Sequence, residues 1–319
     1  MRKIVLVATS AAVVLLAAAS AALVLLSSSS SQPFADPADA RCEASSTFGP
    51  VRASRSHREV DIAFNCADAR IAGTLDLPRG GRGPYPAVVW VHGAGETARL
   101  RFEGTPLIQE LVRAGIAVFS YDKRGVAESE GECCPGDYGQ FNLLAADAAG
   151  AVDAIRARPE IDPARIGFLG ASQAGWIVPL AAVRSGRVAF VSLVDAPAVS
   201  YAEEDLYSQR TGEQGTVLEL ASFVRTAGGL RAPGPAGFDP RPYLQELEVP
   251  GLWLYGGADR SQPTADDVDV LQQLKADGRD FTVVVYPRVG HGLLDVPPSD
   301  PRALPQIVDW ITRTTREGP

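Results

Sequence analysis

Short, nearly continuous apolar runs alternate with helical segments over most of the chain, and this alternation restricts the fold more than any other feature. Such runs are typical of strands buried on both faces of a sheet. Six of them lie at 86–91, 115–121, 165–169, 188–194, 251–255 and 281–286. Segments with helical apolar spacing lie at 106–114, 140–158, 173–185, 264–276 and 303–315. This order predicts an α/β fold, with a mostly parallel central sheet and helices on both faces.

Two further strands are predicted ahead of the first apolar run. Residues 58–65 and 70–77 alternate apolar and polar side chains, and a glycine-rich turn follows the second, so both are expected to be antiparallel. The alternation of strands and helices stops between about 197 and 247, where glycines and prolines interrupt the chain. We interpret 197–247 as a small inserted lid within a single domain that covers 51–319.

The N-terminus is predicted to lie outside this domain. Arg2 and Lys3 precede an uncharged apolar stretch at 4–26, and serines follow at 27–31, which is the pattern of an export signal or a membrane anchor over 1–31. Small residues offer cleavage sites, yet the stretch is long enough to span a bilayer, so both alternatives stay open. Residues 32–50 are expected to be a flexible linker. The domain is therefore predicted to be secreted, periplasmic or membrane-anchored outside the cytoplasm.

Charge and cysteine content restrict the partners. The formal net charge of −8 argues against a nucleic-acid partner. Cys42, Cys66, Cys133 and Cys134 allow three complete disulfide pairings. Because the adjacent Cys133 and Cys134 would form a strained ring, we expect them to pair with Cys42 and Cys66 or to stay partly free. The cysteines lack the Cys-x-x-Cys spacing of zinc sites, and no metal or cofactor is predicted.

A serine lies where the apolar run 165–169 meets the helical segment 173–185. The stretch Gly-Ala-Ser-Gln-Ala at 170–174 is similar to the nucleophile elbow Gly-x-Ser-x-Gly, with Ala174 in place of the last glycine. A serine hydroxyl becomes an effective nucleophile only when it is exposed beside a base. Ser172 is therefore the predicted nucleophile.

The base and its acidic partner are sought at the ends of later strands. The chain has three histidines, and His291 follows the last predicted strand between two glycines, which makes it the predicted base. His57 precedes the first strand, and His92 is expected to hold a loop in place. An imidazole base needs a carboxylate to fix its tautomer. Asp259, released from its strand by two glycines, is the predicted acid, and Asp195 is the competing candidate.

An oxyanion intermediate requires preorganised donors, commonly two backbone N–H groups. Gln173, at the start of the helix after Ser172, is predicted to supply one. Ala94, in the glycine-bearing loop after the first apolar run, is predicted to supply the other.

These stretches together resemble the α/β-hydrolase superfamily, in particular dienelactone-hydrolase-like esterases and prolyl-oligopeptidase-type domains. The resemblance covers about 58–315 and rests on His-Gly-Ala-Gly (92–95), Asp-Lys-Arg-Gly-Val-Ala-Glu-Ser (122–129), Gly-Ala-Ser-Gln-Ala-Gly (170–175), Gly-Ala-Asp (257–259) and Gly-His-Gly (290–292). It implies the α/β-hydrolase fold, no cofactor, and a structural turn at 122–129. It also implies the nucleophile, acid, base and oxyanion roles already predicted for Ser172, Asp259, His291, Gln173 and Ala94.

The function predicted from the sequence is a serine hydrolase, and specifically a carboxylic-ester hydrolase that forms an acyl-enzyme on Ser172. A peptidase or a thioesterase with the same residues and a noncatalytic binding protein on this fold are the alternatives. The expected partner is a small-molecule ester or another acyl compound. Aromatic residues of the lid, among them Tyr201, Tyr207 and Phe238, are expected either to line the substrate pocket or to form the lid's own core.

Overall fold

One large sheet forms the centre of the protein. The computed structural model describes residues 36, 38–81, 83–132, 140–212 and 238–317. Ten strands within these ranges make a single sheet. In chain order they are β1 (Cys42–Phe48), β2 (Arg52–Ala53), β3 (His57–Cys66), β4 (Ala69–Pro78), β5 (Tyr85–Val91), β6 (Ala117–Tyr121), β7 (Ile161–Ala171), β8 (Phe190–Val194), β9 (Gly251–Gly256) and β10 (Phe281–Tyr286).

Seven helices connect or follow these strands in the described part of the chain. They are α1 (Pro106–Arg113), α2 (Phe141–Arg156), α3 (Ala174–Ser185), α4 (Tyr201–Thr211), α5 (Arg241–Glu246), α6 (Thr264–Ala276) and α7 (Ala303–Glu317). Five of them, α1, α2, α3, α6 and α7, occupy the segments in which the sequence predicts helices. The apolar spacing of those segments therefore predicted these five helices correctly.

The sheet is antiparallel at one side and parallel over the rest. Its order is β1-β3-β4-β6-β5-β7-β8-β9-β10, and β2 pairs with β3 outside this path. The ladders β1–β3, β2–β3, β3–β4 and β4–β6 are antiparallel. All ladders from β6 to β10 are parallel. The prediction of a mostly parallel sheet with two leading antiparallel strands is confirmed.

The core is divided between the two faces of the sheet. Along β5, Val88 and Trp90 belong to an apolar cluster with α1 and α7, whereas Val89 and Val91 belong to a cluster with α2, α3 and α6. This distribution follows from the two-residue repeat of a strand. Since both faces are covered, the central strands read as continuous apolar runs.

The chain ahead of β3 differs from the expected linker. Residues 32–50 were expected to be a flexible tether, but Cys42–Phe48 forms strand β1, which pairs antiparallel with β3. Cys42 and Cys66 form a disulfide with each other, which contradicts the first of the two alternatives for Cys133 and Cys134, that they pair with Cys42 and Cys66. Cys133 and Cys134 lie outside the described residues. The segment 1–31, predicted to be an export signal or anchor, also lies outside them.

No helix in the described ranges is long and apolar enough to cross a membrane.

Candidate active site

Ser172 lies in a sharp turn between strand β7 and helix α3. Its φ is +54°, in the left-handed region that residues with a side chain rarely adopt. The turn is closed by hydrogen bonds from the Ser172 N–H to the Val194 carbonyl (3.0 Å) and from the Gly175 N–H to the Ser172 carbonyl (2.9 Å). The sequence places small residues here because a β-carbon on Gly170 would lie 2.6 Å from the Ala174 β-carbon. Ala174 therefore occupies its motif position without a clash, and the close packing falls on Gly170.

His291 and Asp259 are joined by a hydrogen bond. The His291 Nδ1 lies 2.8 Å from the Asp259 Oδ2, so the ring donates its Nδ1 proton to the carboxylate. The Asp259 Oδ1 accepts the backbone N–H groups of Ser261 (2.7 Å) and Gln262 (2.9 Å), which hold the carboxylate in position. The Asp259 side chain is fully buried, whereas 30% of the His291 side chain is exposed. The ring can therefore meet a substrate while its acidic partner is shielded from water.

The pKa of His291 is raised above its ordinary value. Burial alone would lower this pKa, but the Asp259 hydrogen bond and charge oppose burial and outweigh it. The charges of Asp195 and Glu204 act in the same direction as Asp259. The protonated imidazole is therefore stabilised at this position.

Asp195, the competing acid, has a different set of partners. Its Oδ1 accepts the Gly256 N–H (2.9 Å), and its Oδ2 accepts the N–H groups of Gly292 (3.0 Å) and Leu293 (2.9 Å). Burial raises the pKa of Asp195, against the effect of these three hydrogen bonds. The carboxylate thus fastens the loop that carries His291 to the end of strand β9. Sequence reasoning found this residue but not its role.

Ser172 and His291 line the same cavity, which has a volume of about 300 Å³. Apolar side chains make up much of its wall: Trp90, Leu100, Leu107, Val194, Leu294, Val296 and Leu304. Asp195 and Asp295 also reach the cavity. The structure therefore brings the predicted nucleophile and base to one apolar chamber, with Asp259 behind the base.

The predicted oxyanion residues lie beside the serine. A β-carbon on Gly93 would lie 3.5 Å from the Ser172 β-carbon, so the loop containing Ala94 runs directly against the turn. Ala94 is exposed, and Gln173 is buried at the entry to helix α3. These positions place both backbone segments next to Ser172.

Lys123 links these two segments, and sequence reasoning did not assign it a role in the site. Its Nζ donates to the carbonyls of Gly93 (3.0 Å) and Gly95 (3.1 Å) and to the Gln173 Oε1 (2.9 Å). Lys123 is 1% exposed. One buried ammonium group therefore holds the carbonyls on both sides of Ala94 and the side chain of Gln173.

The turn at 122–129 and His92 support the same loop. The Asp122 carboxylate accepts the Arg99 N–H (2.7 Å) and pairs with the Arg99 guanidinium. Ala127, which replaces a glycine of the family pattern, has a φ of +49° and so adopts the backbone conformation of that glycine. His92 is buried, its Nε2 bonds to the Tyr121 carbonyl, and burial lowers its pKa to about 4. His92 is thus neutral and holds the loop, as expected for it.

Only the two ends of the predicted lid fall within the described residues. Tyr201 packs edge-on against Trp176 (5.3 Å between ring centres), and Phe238 packs against Phe141 (4.6 Å). The Tyr207 hydroxyl donates to the Asp259 carbonyl oxygen (2.8 Å). None of these three aromatic residues lines the cavity with Ser172. They belong to the packing around the site, while residues 213–237 lie outside the described ranges.

Comparison with known proteins identifies relatives of this architecture. The model of the hydrolase family described as serine aminopeptidase, S33, matches residues 83–225. Esterase EstD from Thermotoga maritima is 26% identical over 258 residues, which are 74% of this chain and 60% of that protein. The chain thus spans about three fifths of the length of this curated relative.

Solved structures share the fold at low sequence identity. Acetyl xylan esterase 1 from Thermoanaerobacterium sp. superposes with a TM-score of 0.64 and 19% identity, covering 84% of this chain and 87% of that chain. The acylaminoacyl peptidase from Pyrococcus horikoshii superposes with a TM-score of 0.62 and 15% identity, covering 83% of this chain and 42% of that chain. The α/β-hydrolase fold predicted from the sequence is confirmed.

Asp195→Asn is expected to lower the kcat/KM of the candidate site by about 10- to 100-fold through displacement of the His291 loop. An asparagine offers one acceptor oxygen and one donor group, so it cannot accept the N–H groups of Gly256, Gly292 and Leu293 together. The measurement is steady-state kinetics beside Asp269→Asn, a matched change at an exposed site. Unchanged kinetics in folded Asp195→Asn would show that the three hydrogen bonds do not position the loop.

Lys123→Met is expected to lower kcat by about 100-fold with a small change in KM, because the loop beside Ser172 loses its shared donor. Lys275→Met, on the exposed side of α6, is the control. Circular dichroism must show that the variant is folded, since Lys123 is buried. If the Lys123→Met variant is folded and has the kcat of the unmodified protein, Lys123 makes no contribution to the chemistry of the site.

Proposed function

We propose, from the α/β-hydrolase fold of this chain and its similarity to the esterase EstD, that it is a serine hydrolase and specifically a carboxylic-ester hydrolase. One observation carries the proposal: His291, hydrogen-bonded to Asp259 at 2.8 Å, shares an apolar cavity with Ser172 at a left-handed turn. An activated serine requires an accessible hydroxyl with an oriented base nearby, and the shared cavity and the Asp259 hydrogen bond support such an arrangement here.

In the proposed reaction the His291 imidazole removes the Ser172 hydroxyl proton as the oxygen attacks the ester carbonyl. The imidazolium that forms is stabilised by Asp259 and then protonates the alcohol oxygen, so that the C–O bond breaks and an acyl-enzyme remains. Water repeats the sequence: His291 takes a proton from it, its oxygen attacks the acyl carbon, and the acid leaves as Ser172 regains its proton. We assign the two oxyanion donors to the backbone N–H groups of Ala94 and Gln173.

The cavity supports a small or medium apolar ester as the substrate. Its volume of about 300 Å³ is at the small end of the range for ligand sites, and its wall is largely aliphatic and aromatic. The relative EstD is named an esterase, and two of the structural neighbours are acetyl xylan esterases. These names favour an ester over other acyl compounds as the first class to test.

A peptidase is the second candidate. The matching family model is described as serine aminopeptidase, and Asp295 lines the cavity, where its carboxylate would attract the α-ammonium group of a peptide. A thioester would react by the same steps.

We also propose that the domain acts outside the cytoplasm, on the strength of the apolar stretch at 4–26.

Ser172→Ala, His291→Ala and Asp259→Asn are each expected to lower kcat by roughly 10⁴-fold or more, because each removes one part of the proton-transfer chain. The measurement uses p-nitrophenyl esters from acetyl to octanoyl, followed by a thioester and an aminoacyl p-nitroanilide. A fluorophosphonate probe should label Ser172, as located by peptide mass spectrometry, and labelling should vanish in His291→Ala. Ser45→Ala, at an exposed position on β1, is the matched control.

If Ser172 is labelled strongly but the aminoacyl p-nitroanilide is cleaved faster than any ester, the proposal of an esterase is replaced by that of a peptidase. A folded protein whose Ser172 is not labelled would favour the noncatalytic alternative.

The pH profile provides an independent prediction. The base must be neutral in the free enzyme, and the pKa of His291 is raised, so kcat/KM should rise with pH through an apparent pKa above about 6.5. Asp259→Asn removes the main raising contribution, so the acid limb of its residual activity should move to lower pH. An acid limb well below about pH 6 in the unmodified enzyme would contradict the role of Asp259.

A further inference from the structure

Three potential metal ligands meet on the antiparallel side of the sheet, on strands that contribute no residue to the cavity with Ser172. His57 begins β3, Glu59 follows two residues later on the same strand, and Asp76 pairs with Glu59 across the β3–β4 ladder. One donor atom from each side chain lies within 4.8 Å of the other two. Imidazole nitrogen and carboxylate oxygen are both zinc ligands in proteins.

The His57 ring is held so that one nitrogen is aimed at the two carboxylates. Its Nδ1 lies 2.8 Å from the Ser54 hydroxyl and 3.1 Å from the Ser56 hydroxyl, and its face stacks on Phe102 at 3.8 Å between ring centres. Hydrogen bonding of the second ring nitrogen is the usual way in which proteins orient a metal-binding histidine. The orientation of Nε2 is therefore fixed before any ligand arrives.

The two buried members of the cluster have polar atoms without partners. His57 is 2% exposed and Asp76 is 1% exposed. Among the described residues, neither the His57 Nε2 nor the Asp76 Oδ1 has a hydrogen-bond partner. A buried donor or acceptor that bonds to nothing is costly, so native proteins rarely leave one.

The distance between His57 and Asp76 fits two ligands of a shared ion better than a hydrogen bond. The His57 Nε2 lies 3.4 Å from the Asp76 Oδ1 and 3.9 Å from the Glu59 Oε2. Two ligands at the usual zinc distance of about 2.1 Å in tetrahedral geometry are separated by about 3.4 Å. A charge-assisted hydrogen bond between the same groups would be shorter, at about 2.8 Å.

Access and charge also suit a cation. The Glu59 side chain is 32% exposed, so its side of the cluster is open to solvent. Arg52 binds the Glu59 Oε1 at 2.8 Å and leaves the Oε2 directed to the cluster. Burial and the charge of Glu59 raise the pKa of Asp76 to about 7. With Asp76 deprotonated, the two carboxylates and a neutral imidazole carry two negative charges, which a divalent ion would balance.

We propose that His57, Glu59 and Asp76 form a binding site for a divalent cation of the zinc class, with a fourth position open to water. The bound ion would fasten strand β3 to strand β4 and, through the stacked Phe102, the chain that enters helix α1. Its role is structural and separate from ester hydrolysis.

The test is binding of Zn²⁺ to the purified full chain after removal of metals by a chelator. The protein used for all measurements carries Cys133→Ser and Cys134→Ser, so that neither position can provide a sulfur ligand for Zn²⁺. Competition with a chromophoric chelator gives stoichiometry and affinity, and thermal unfolding with and without Zn²⁺ gives a second readout. We expect one Zn²⁺ per chain and a higher melting temperature in its presence.

His57→Phe, which keeps the stacking ring, and Asp76→Asn should each weaken Zn²⁺ binding at least about tenfold and abolish the thermal shift. Glu59→Gln, at the accessible edge, tests the site with the least risk to folding. His291→Ala and Glu110→Gln, an exposed change on α1, should bind Zn²⁺ normally. The site would be overturned if the protein with all three ligands did not bind Zn²⁺, or if Glu59→Gln and His57→Phe bound Zn²⁺ as tightly as that protein. The three side chains would then form an ion pair only. Because binding is measured without a substrate, this outcome is independent of the proposed esterase activity.

Discussion

Parallel pairing from β6 to β10 is the constraint on which the rest of the molecule depends. Every connection between parallel neighbours must return across a face of the sheet, so all of these strands end at one edge. Ser172 follows β7, Asp195 follows β8, Asp259 follows β9 and His291 follows β10. Residues far apart in the sequence are thereby gathered at one edge without any long-range signal between them.

Buried charged side chains then fix the positions of the loops at this edge of the sheet. A carboxylate at Asp195 and an ammonium at Lys123 each bind several backbone groups, one on the histidine side of Ser172 and the other on the loop opposite. Backbone groups are the natural partners here because loops rich in glycine have few side chains with which to hold one another. The cost of burying each charge is offset by multiple hydrogen bonds.

The sequence predicted the parallel sheet and the order of Ser172, Asp259 and His291 because apolar runs and glycine-flanked polar residues are local signals. It favoured Asp259 over Asp195 only through the two glycines that precede Asp259, since both residues follow buried strands and the difference lies in where each side chain points. Lys123 was assigned no role in the site because two of its three partners are backbone carbonyl groups, which leave no trace in the sequence. Strand β1, Cys-Glu-Ala-Ser-Ser-Thr-Phe, is a polar edge strand without an apolar run, and its composition resembles that of a linker.

Helix α3 packs so tightly on the following segment that a β-carbon on Gly175 would lie 2.5 Å from the backbone nitrogen of Pro197. The chain that leaves β8 is therefore packed directly against the first turn of the helix that follows Ser172. A side chain at position 175 would have to displace the Pro197 backbone, so the segments that leave β7 and β8 are held at a fixed separation.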